Sequence, residues 1–188
     1  AFITRVTEGT LEHMIEIDYI IDQFSKTKTA KMKPVIRIIL RSAVYQLKYM
    51  DQVPASAVCN EAVRLAKKRG FQNLSGFVNG VLRTIARQMD QVKLPEHPLS
   101  RRLSVQYSIP EWMVEMWLSS YPEETVEKML SFMMEEHPTC IRFDPERITK
   151  EEIKARLKED GVEKVEDPPV RPYALWISGY DYLGGLET

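Results

Sequence analysis

Cysteine is nearly absent: the 188 residues hold two, Cys59 and Cys140, far apart in the chain. They form no disulfide framework, metal-ligand spacing or redox pair, which fits a reducing cytoplasm. Histidine is as sparse. His13, His97 and His137 are scattered, and zinc-type sites need ligands clustered at short spacing, so no metal is expected. No apolar run approaches the roughly 18 residues of a membrane span, and no signal peptide is visible, so a cytoplasmic chain without membrane contact is expected. Glycine-rich phosphate loops of the GxGxxG or Walker type are missing. Neither cysteine follows a proline, and no carboxylate sits in an apolar run that would raise its pKa for acid–base work. No catalytic residue or cofactor-binding loop is therefore expected within the chain.

Acidic residues are scarce in one place only. Residues 25–102 carry four acids against sixteen Lys/Arg, a net +12. Residues 1–24 carry one Arg and five acids, a net −4, and residues 103–188 carry nine Lys/Arg and eighteen acids, a net −9. The whole-chain charge of −1 hides these blocks. A concentrated positive field points to a polyanionic partner, with nucleic acid the first candidate. Hydrophobic content of 44% with 28% charged residues is that of a folded globular protein.

The basic block is also the most cleanly helical stretch. One amphipathic helix is predicted over 7–24, with Glu8, Glu12 and Glu16 on one exposed face. Residues 25–33 read as a loop holding Lys26, Lys28, Lys31 and Lys33. Pro34 opens a helix at its first position, and Arg37, Arg41, Tyr45 and Lys48 fall on one stripe of it. The next helix starts near Pro54 and closes at Gly70, with Arg64, Lys67, Lys68 and Arg69 crowded into its end. Favourable interaction with the helix dipole accounts for one or two of these cations, not four. A third helix, capped by Asn73 or Ser75, runs to about residue 91 and adds Arg83 and Arg87. Gly76 and Gly80 lie one turn apart in it, which predicts close approach of a neighbouring helix or backbone.

Residues 92–110 read as a proline-bearing connector containing Arg101 and Arg102. Ser108 and Glu111 have the spacing of a capping box. The following helix carries Trp112, Met113, Met116 and Trp117, read as core or as a hinge surface between domains, and an acidic helix covers 123–135. The pattern then changes. A strand over 139–143, a helix opened by a Thr149–Glu152 capping box and ending at Gly161, and short strands over 162–166 and 174–178 predict a small α+β unit.

Several of these segments carry a family likeness. Residues 37–47, Val53-Pro54, Asn60-Glu61-Ala62-Val63-Arg64-Leu65-Ala66-Lys67 and Gly76-Phe77-Val78-Asn79-Gly80-Val81-Leu82-Arg83 resemble the NusB-like antitermination-factor domain. Residues 103–112 resemble the linker that follows this domain in bacterial ribosomal RNA cytosine-5 methyltransferases of the Sun/Fmu (RsmB) type, and Arg142 with residues 148–152 resembles the start of that family's small subdomain.

The resemblance implies a mostly α chain: an all-α NusB-like RNA-binding domain over 1–93, a linker and helical hairpin over 94–138, and a partial ferredoxin/RRM-like α+β subdomain over 139–188. It implies the N-terminal region of an enzyme that moves a methyl group from S-adenosylmethionine to C5 of a cytosine in 16S ribosomal RNA. The catalytic cysteine and cofactor loop would lie beyond this segment, so the segment alone would be inactive and would bind no cofactor itself. The expected partner is small-subunit ribosomal RNA, docked by a monomer through Lys26, Lys28, Lys31, Lys33, Arg37, Arg41, Lys48, Arg64, Lys67, Lys68, Arg69, Arg83 and Arg87. Asn60, Glu61, Gly76, Asn79 and Gly80 fall on motif positions, and side-chain hydrogen bonds of Asn60, Glu61 and Asn79 would lock adjacent helices. Two alternatives stand beside this. A NusB-like transcription antitermination module would bind protein, including through an apolar surface left open on a truncated domain. Alternatively, the basic block would neutralise acidic surfaces of the same chain.

Overall fold

In a computed structural model, residues 2–135, 137–169, 171–180 and 183–185 are described. The chain divides between Met134 and Glu135 into two compact units. The first is entirely helical. Helices α1 (Phe2–Glu12), α2 (Met14–Phe24), α3 (Pro34–Tyr49), α4 (Ala55–Lys68) and α5 (Ser75–Gln88) enclose one apolar core. Ile17, Ile20 and Ile21 of α2, Ile36, Leu40 and Val44 of α3, Ala62 and Ala66 of α4, and Val78, Leu82 and Ile85 of α5 are buried there. Helices α6 (Leu99–Tyr107), α7 (Glu111–Leu118) and α8 (Glu123–Met133) close a smaller core around Leu103, Val114, Val126 and Leu130.

Local chemistry explains several boundaries. Pro34 sits at the start of α3, where its missing N–H costs nothing. The α4 helix ends in a Schellman turn: Phe71 N–H reaches Ala66 O at 2.9 Å, Gly70 N–H reaches Lys67 O at 3.0 Å, and Gly70 adopts φ +83°.

Other boundaries depart from the sequence expectation. The single helix over 7–24 is two helices that break at His13, whose φ of −95° and ψ of 20° leave the helical range. The His13 ring stacks on Tyr49 with centroids 4.2 Å apart. Gly9 lies so close to Tyr45 that a Cβ there would come 2.2 Å from the ring. The kink also carries Glu16 out of register with Glu8 and Glu12. Those two remain exposed, whereas Glu16 is 7% exposed. The lysine loop contains a short 3-10 turn, Thr29–Lys31, held where Thr29 N–H donates to Asp22 Oδ1 at 2.7 Å. Neither Asn73 nor Ser75 caps α5. Gln72–Leu74 forms a 3-10 turn instead, and Ser75 begins the helix with its hydroxyl donating to Gln72 O.

The connector over 92–110 contains the nine-residue helix α6. Ser108 ends that helix in the left-handed region, φ 53°, and its hydroxyl accepts the Ile15 N–H at 3.0 Å. It therefore caps nothing in α7, and Glu111 is the first residue of α7 rather than its third. On α7 Val114 is fully buried and Trp117 packs against the small core, but Trp112 is 64% exposed and Met116 is also turned outward.

The second unit matches the predicted α+β pattern. Strands β1 (Thr139–Arg142), β2 (Lys164–Glu166) and β3 (Ala174–Ser178) form an antiparallel sheet in the order β1-β3-β2. Helix α9 (Lys150–Glu159) begins at the Thr149–Glu152 capping box, with both reciprocal hydrogen bonds present. Its Ile153 and Leu157 pack with Phe143, Val162, Leu175 and Ile177. Among the described residues no helix is long and apolar enough to cross a membrane.

Candidate nucleic-acid interface

The cations of the basic block separate by environment into two groups. The first is engaged internally. Arg41 donates Nε to Asp18 Oδ1 at 2.7 Å and Nη2 to Asp18 Oδ2 at 2.5 Å, a bidentate pair joining α3 to α2. Lys48 and the Tyr49 hydroxyl both donate to the Glu16 carboxylate. Burial and this bond push the Tyr49 hydroxyl far above its ordinary pKa. Arg37 lies half-buried, with Nε shielded from solvent. Arg101 pairs with Glu111, and Arg102 with Glu123 and Glu127. Arg41 and Lys48 of the α3 stripe therefore meet acids of the −4 block, the internal neutralisation that opposite charges on adjacent helices favour, whereas the buried Arg37 Nε has no hydrogen-bond partner among the described residues.

The second group faces outward. Lys26, Lys28, Lys31 and Lys33 are exposed on the loop before α3, with Lys28 Nζ donating to Asp22 O. Arg64, Lys67, Lys68 and Arg69 are exposed on the second half of α4, and Arg83 and Arg87 on α5. Arg69 lies toward α3, sharing a cavity with Val35 and Ile38. The arginines that flank α4 and α5 are held in place. Glu61 accepts both Nε and Nη2 of Arg64 at 2.8 Å, and Arg64 holds the Glu61 carboxyl below the usual carboxylate range. Asn79 Oδ1 accepts Arg83 Nε at 3.0 Å. Both bonds run within one helix and orient an arginine, rather than tying two helices together; Asn60 is exposed beside them.

A groove of about 420 Å³ runs between the start of α4 and the end of α5. Ala55, Ser56, Gly80 and Ala86 give it a small-residue lining, and Arg83 and Arg87 border it. Cys59 also lines the groove; burial pushes its thiol up, and Arg83 partly offsets this. Gly76 and Gly80 do not serve helix packing: a Cβ on either would meet nothing within 4 Å. Sequence reasoning missed Ser56, Thr84 and Ala86 in this lining. The available signal was the run of small residues at the start of α4, which shares the groove with Gly80 of α5. Such a groove accommodates an anionic backbone, and it presents no activated nucleophile or acid–base pair.

A separate apolar strip is exposed on the same unit. Ile3, Leu11 and Ile38 lie outward, and Leu11, Met14 and Ile38 line a cavity of about 250 Å³ between α1 and α3.

Residues 1–87 match the NusB family, and residues 109–179 match the Methyltr_RsmF/B-like, ferredoxin-like domain. Similar proteins include the "Probable ribosomal RNA small subunit methyltransferase B" of Bacillus subtilis (strain 168), 33% identical over 162 residues, which are 86% of this chain and 36% of that protein. They also include the "Transcription antitermination protein NusB" of Lysinibacillus sphaericus (strain C3-41), 41% identical over 88 residues, 46% of this chain and 69% of that protein. The crystal structure of PH0851 shares the fold with a TM-score of 0.70 at 20% identity, over 96% of this chain and 40% of that one. The chain thus spans about a third of the length of the methyltransferase relative it matches.

Proposed function

Because this chain belongs to the NusB family through residues 1–87 and to the RsmF/B-like methyltransferase ferredoxin-like family through residues 109–179, we propose that it is the RNA-docking region of a small-subunit ribosomal RNA methyltransferase. The reaction proposed for the whole enzyme is transfer of a methyl group from S-adenosylmethionine to C5 of a cytosine in 16S RNA. In this reading residues 1–93 dock RNA, residues 94–138 link, and residues 139–188 begin the α+β subdomain. The residues present do not fit S-adenosylmethionine: the chain has no glycine-rich cofactor loop, and its α4/α5 groove is bordered by arginines that suit phosphate.

The observation that carries the reading is the outward basic surface of α4 and α5, where Arg64 and Arg83 are oriented by Glu61 and Asn79. Arg64, Lys67, Lys68, Arg83 and Arg87 are its contact set, with the loop lysines flanking. If those five residues neutralise five phosphates, log K for a small-subunit ribosomal RNA hairpin falls with log salt at a slope of about −3.5 to −4.5. R83A/R87A should weaken binding and flatten that slope by about 1.5. A salt-independent affinity, or a slope untouched by this double change, refutes the assignment.

The exposed Ile3–Leu11–Ile38 strip favours a second reading, a protein-binding NusB-like module. In that case the chain binds no RNA at low salt, and I38E abolishes capture of a protein partner.

A further inference from the structure

Two glycines of α5 have no explanation in the fold. Gly76 and Gly80 lie inside the helix, where glycine is less stable than alanine. Neither adopts a positive φ, so the backbone does not require glycine. Neither receives a neighbouring side chain, since an added Cβ would meet nothing within 4 Å. Gly9 is the contrast in the same unit, because there the Tyr45 ring fills the space. Gly76 and Gly80 are both exposed, and their stripe continues along α5. Gly76, Gly80, Thr84 and Arg87 fall at i, i+4, i+8 and i+11, with Arg83 alongside. Bare helix backbone therefore adjoins two cations.

Those cations are uncompensated. Arg83 Nε donates to Asn79 Oδ1 at 3.0 Å and Arg87 Nε to Arg83 O at 3.3 Å, both neutral oxygens. Neither arginine pairs with an acid among the described residues, and no acid lines the groove of about 420 Å³ that they border. Gly80 lines that groove from α5, and Ala55, Ser56 and Cys59 line it from α4. The Thr84 hydroxyl is engaged, donating to Gly80 O at 2.8 Å. Ser56 is exposed and has no hydrogen-bond partner among the described residues, so its hydroxyl is free to donate. A groove of this volume is of small-ligand size. One nucleotide unit enters it, whereas paired strands meet only its rim. Proteins that hold single strands use a cationic groove of this kind to track one backbone.

We propose that Gly76 and Gly80 make the α4/α5 groove selective for an unpaired RNA strand. They let the sugar–phosphate backbone lie against α5, with Arg83 and Arg87 on its phosphates and Ser56 donating from α4. A side chain at Gly80 would hold the strand off the helix and away from Arg83, whose guanidinium Asn79 keeps in place. This selectivity rests on the RNA-docking function proposed above and names the state of the strand that the groove takes.

The test uses the whole 188-residue chain, labelled oligouridylate of about ten nucleotides and an RNA duplex of the same length. G80A and G80L should both fold, with urea midpoints at or above that of the parent, because the fold leaves their side chains room and both residues favour helix. G80L should lower oligouridylate affinity on the order of ten-fold, the loss of about one charge-assisted contact. Duplex, held by charge at the rim, should bind G80L as it binds the parent. G80A should fall between the parent and G80L for oligouridylate. Parental oligouridylate affinity in folded G80L overturns the selectivity, and so does an equal loss of strand and duplex. A urea midpoint lowered by G80A overturns it as well, since the glycine then serves the fold. The basic surface survives each of these outcomes if R83A/R87A still weakens hairpin binding. If neither G80L nor R83A/R87A alters binding, the surface and the selectivity are refuted together.

Discussion

Arg41→Ala separates the two roles that an arginine stripe on α3 can play. In the structure the guanidinium is pinned to Asp18 by two hydrogen bonds of 2.7 and 2.5 Å, with side-chain exposures of 18% for Arg41 and 27% for Asp18. The bond to Asp18 raises the Arg41 pKa. Breaking a fully buried pair costs about 3–5 kcal/mol, and hydrogen bonds to charged groups contribute about 1.5–3. Asp18 retains some water contact, so R41A should destabilise the helical unit by about 2 kcal/mol. D18A should cost a similar amount. The double variant R41A/D18A should be less damaged than the two single losses combined, with a coupling of about 1–2 kcal/mol. Urea unfolding followed by far-UV circular dichroism reads the helical unit, which holds α1 to α8. RNA affinity of folded R41A and its salt slope should match the parent. Stability unchanged within about 0.5 kcal/mol, combined with lost RNA affinity, would mean that the stripe contacts RNA and that the pair with Asp18 contributes nothing.

Two further outcomes follow from the kink between α1 and α2. Gly9→Ala puts a methyl group 2.2 Å from the Tyr45 ring, so it should destabilise the unit by about 1–3 kcal/mol, with Y45L restoring part of the loss in the same urea titration. Parental stability in G9A refutes the close contact. The raised Tyr49 pKa favours the neutral hydroxyl in the folded state, through burial first and the Glu16 bond second. Its contribution is complete below the unfolded value of about 10 and is lost as pH rises beyond it. The stability gap between the parent and Y49F should therefore narrow above about pH 10. Parallel curves at pH 8 and above 10 count against it.

Much of this architecture was legible in the chain. Pro34 and Gly70 mark helix ends by constraints local to their own backbones, and the Thr149–Glu152 box needs only four consecutive residues to close. Helix α6 was less legible: its apolar positions Leu99, Leu103 and Tyr107 recur every four residues, but three prolines around it suggested a connector. The kink at His13 has no local signature. It depends on Tyr45 and Tyr49, which arrive from α3.

The candidate site shows the same division. By itself the sequence determined that positive charge is concentrated over residues 25–102, and that Arg37, Arg41 and Lys48 share one stripe of a helix, as do Arg83 and Arg87, because charge and helical period are properties of the chain alone. Tertiary structure decided which stripe meets water. Packing α3 on α2 sets Arg41 against Asp18 and Lys48 against Glu16, while Arg83 and Arg87 remain at the border of an open groove. The physical reason is that a charged side chain's role depends on the nearest opposite charge and on its access to solvent. Both are set by residues distant in sequence, 23 positions away for Arg41 and 32 for Lys48.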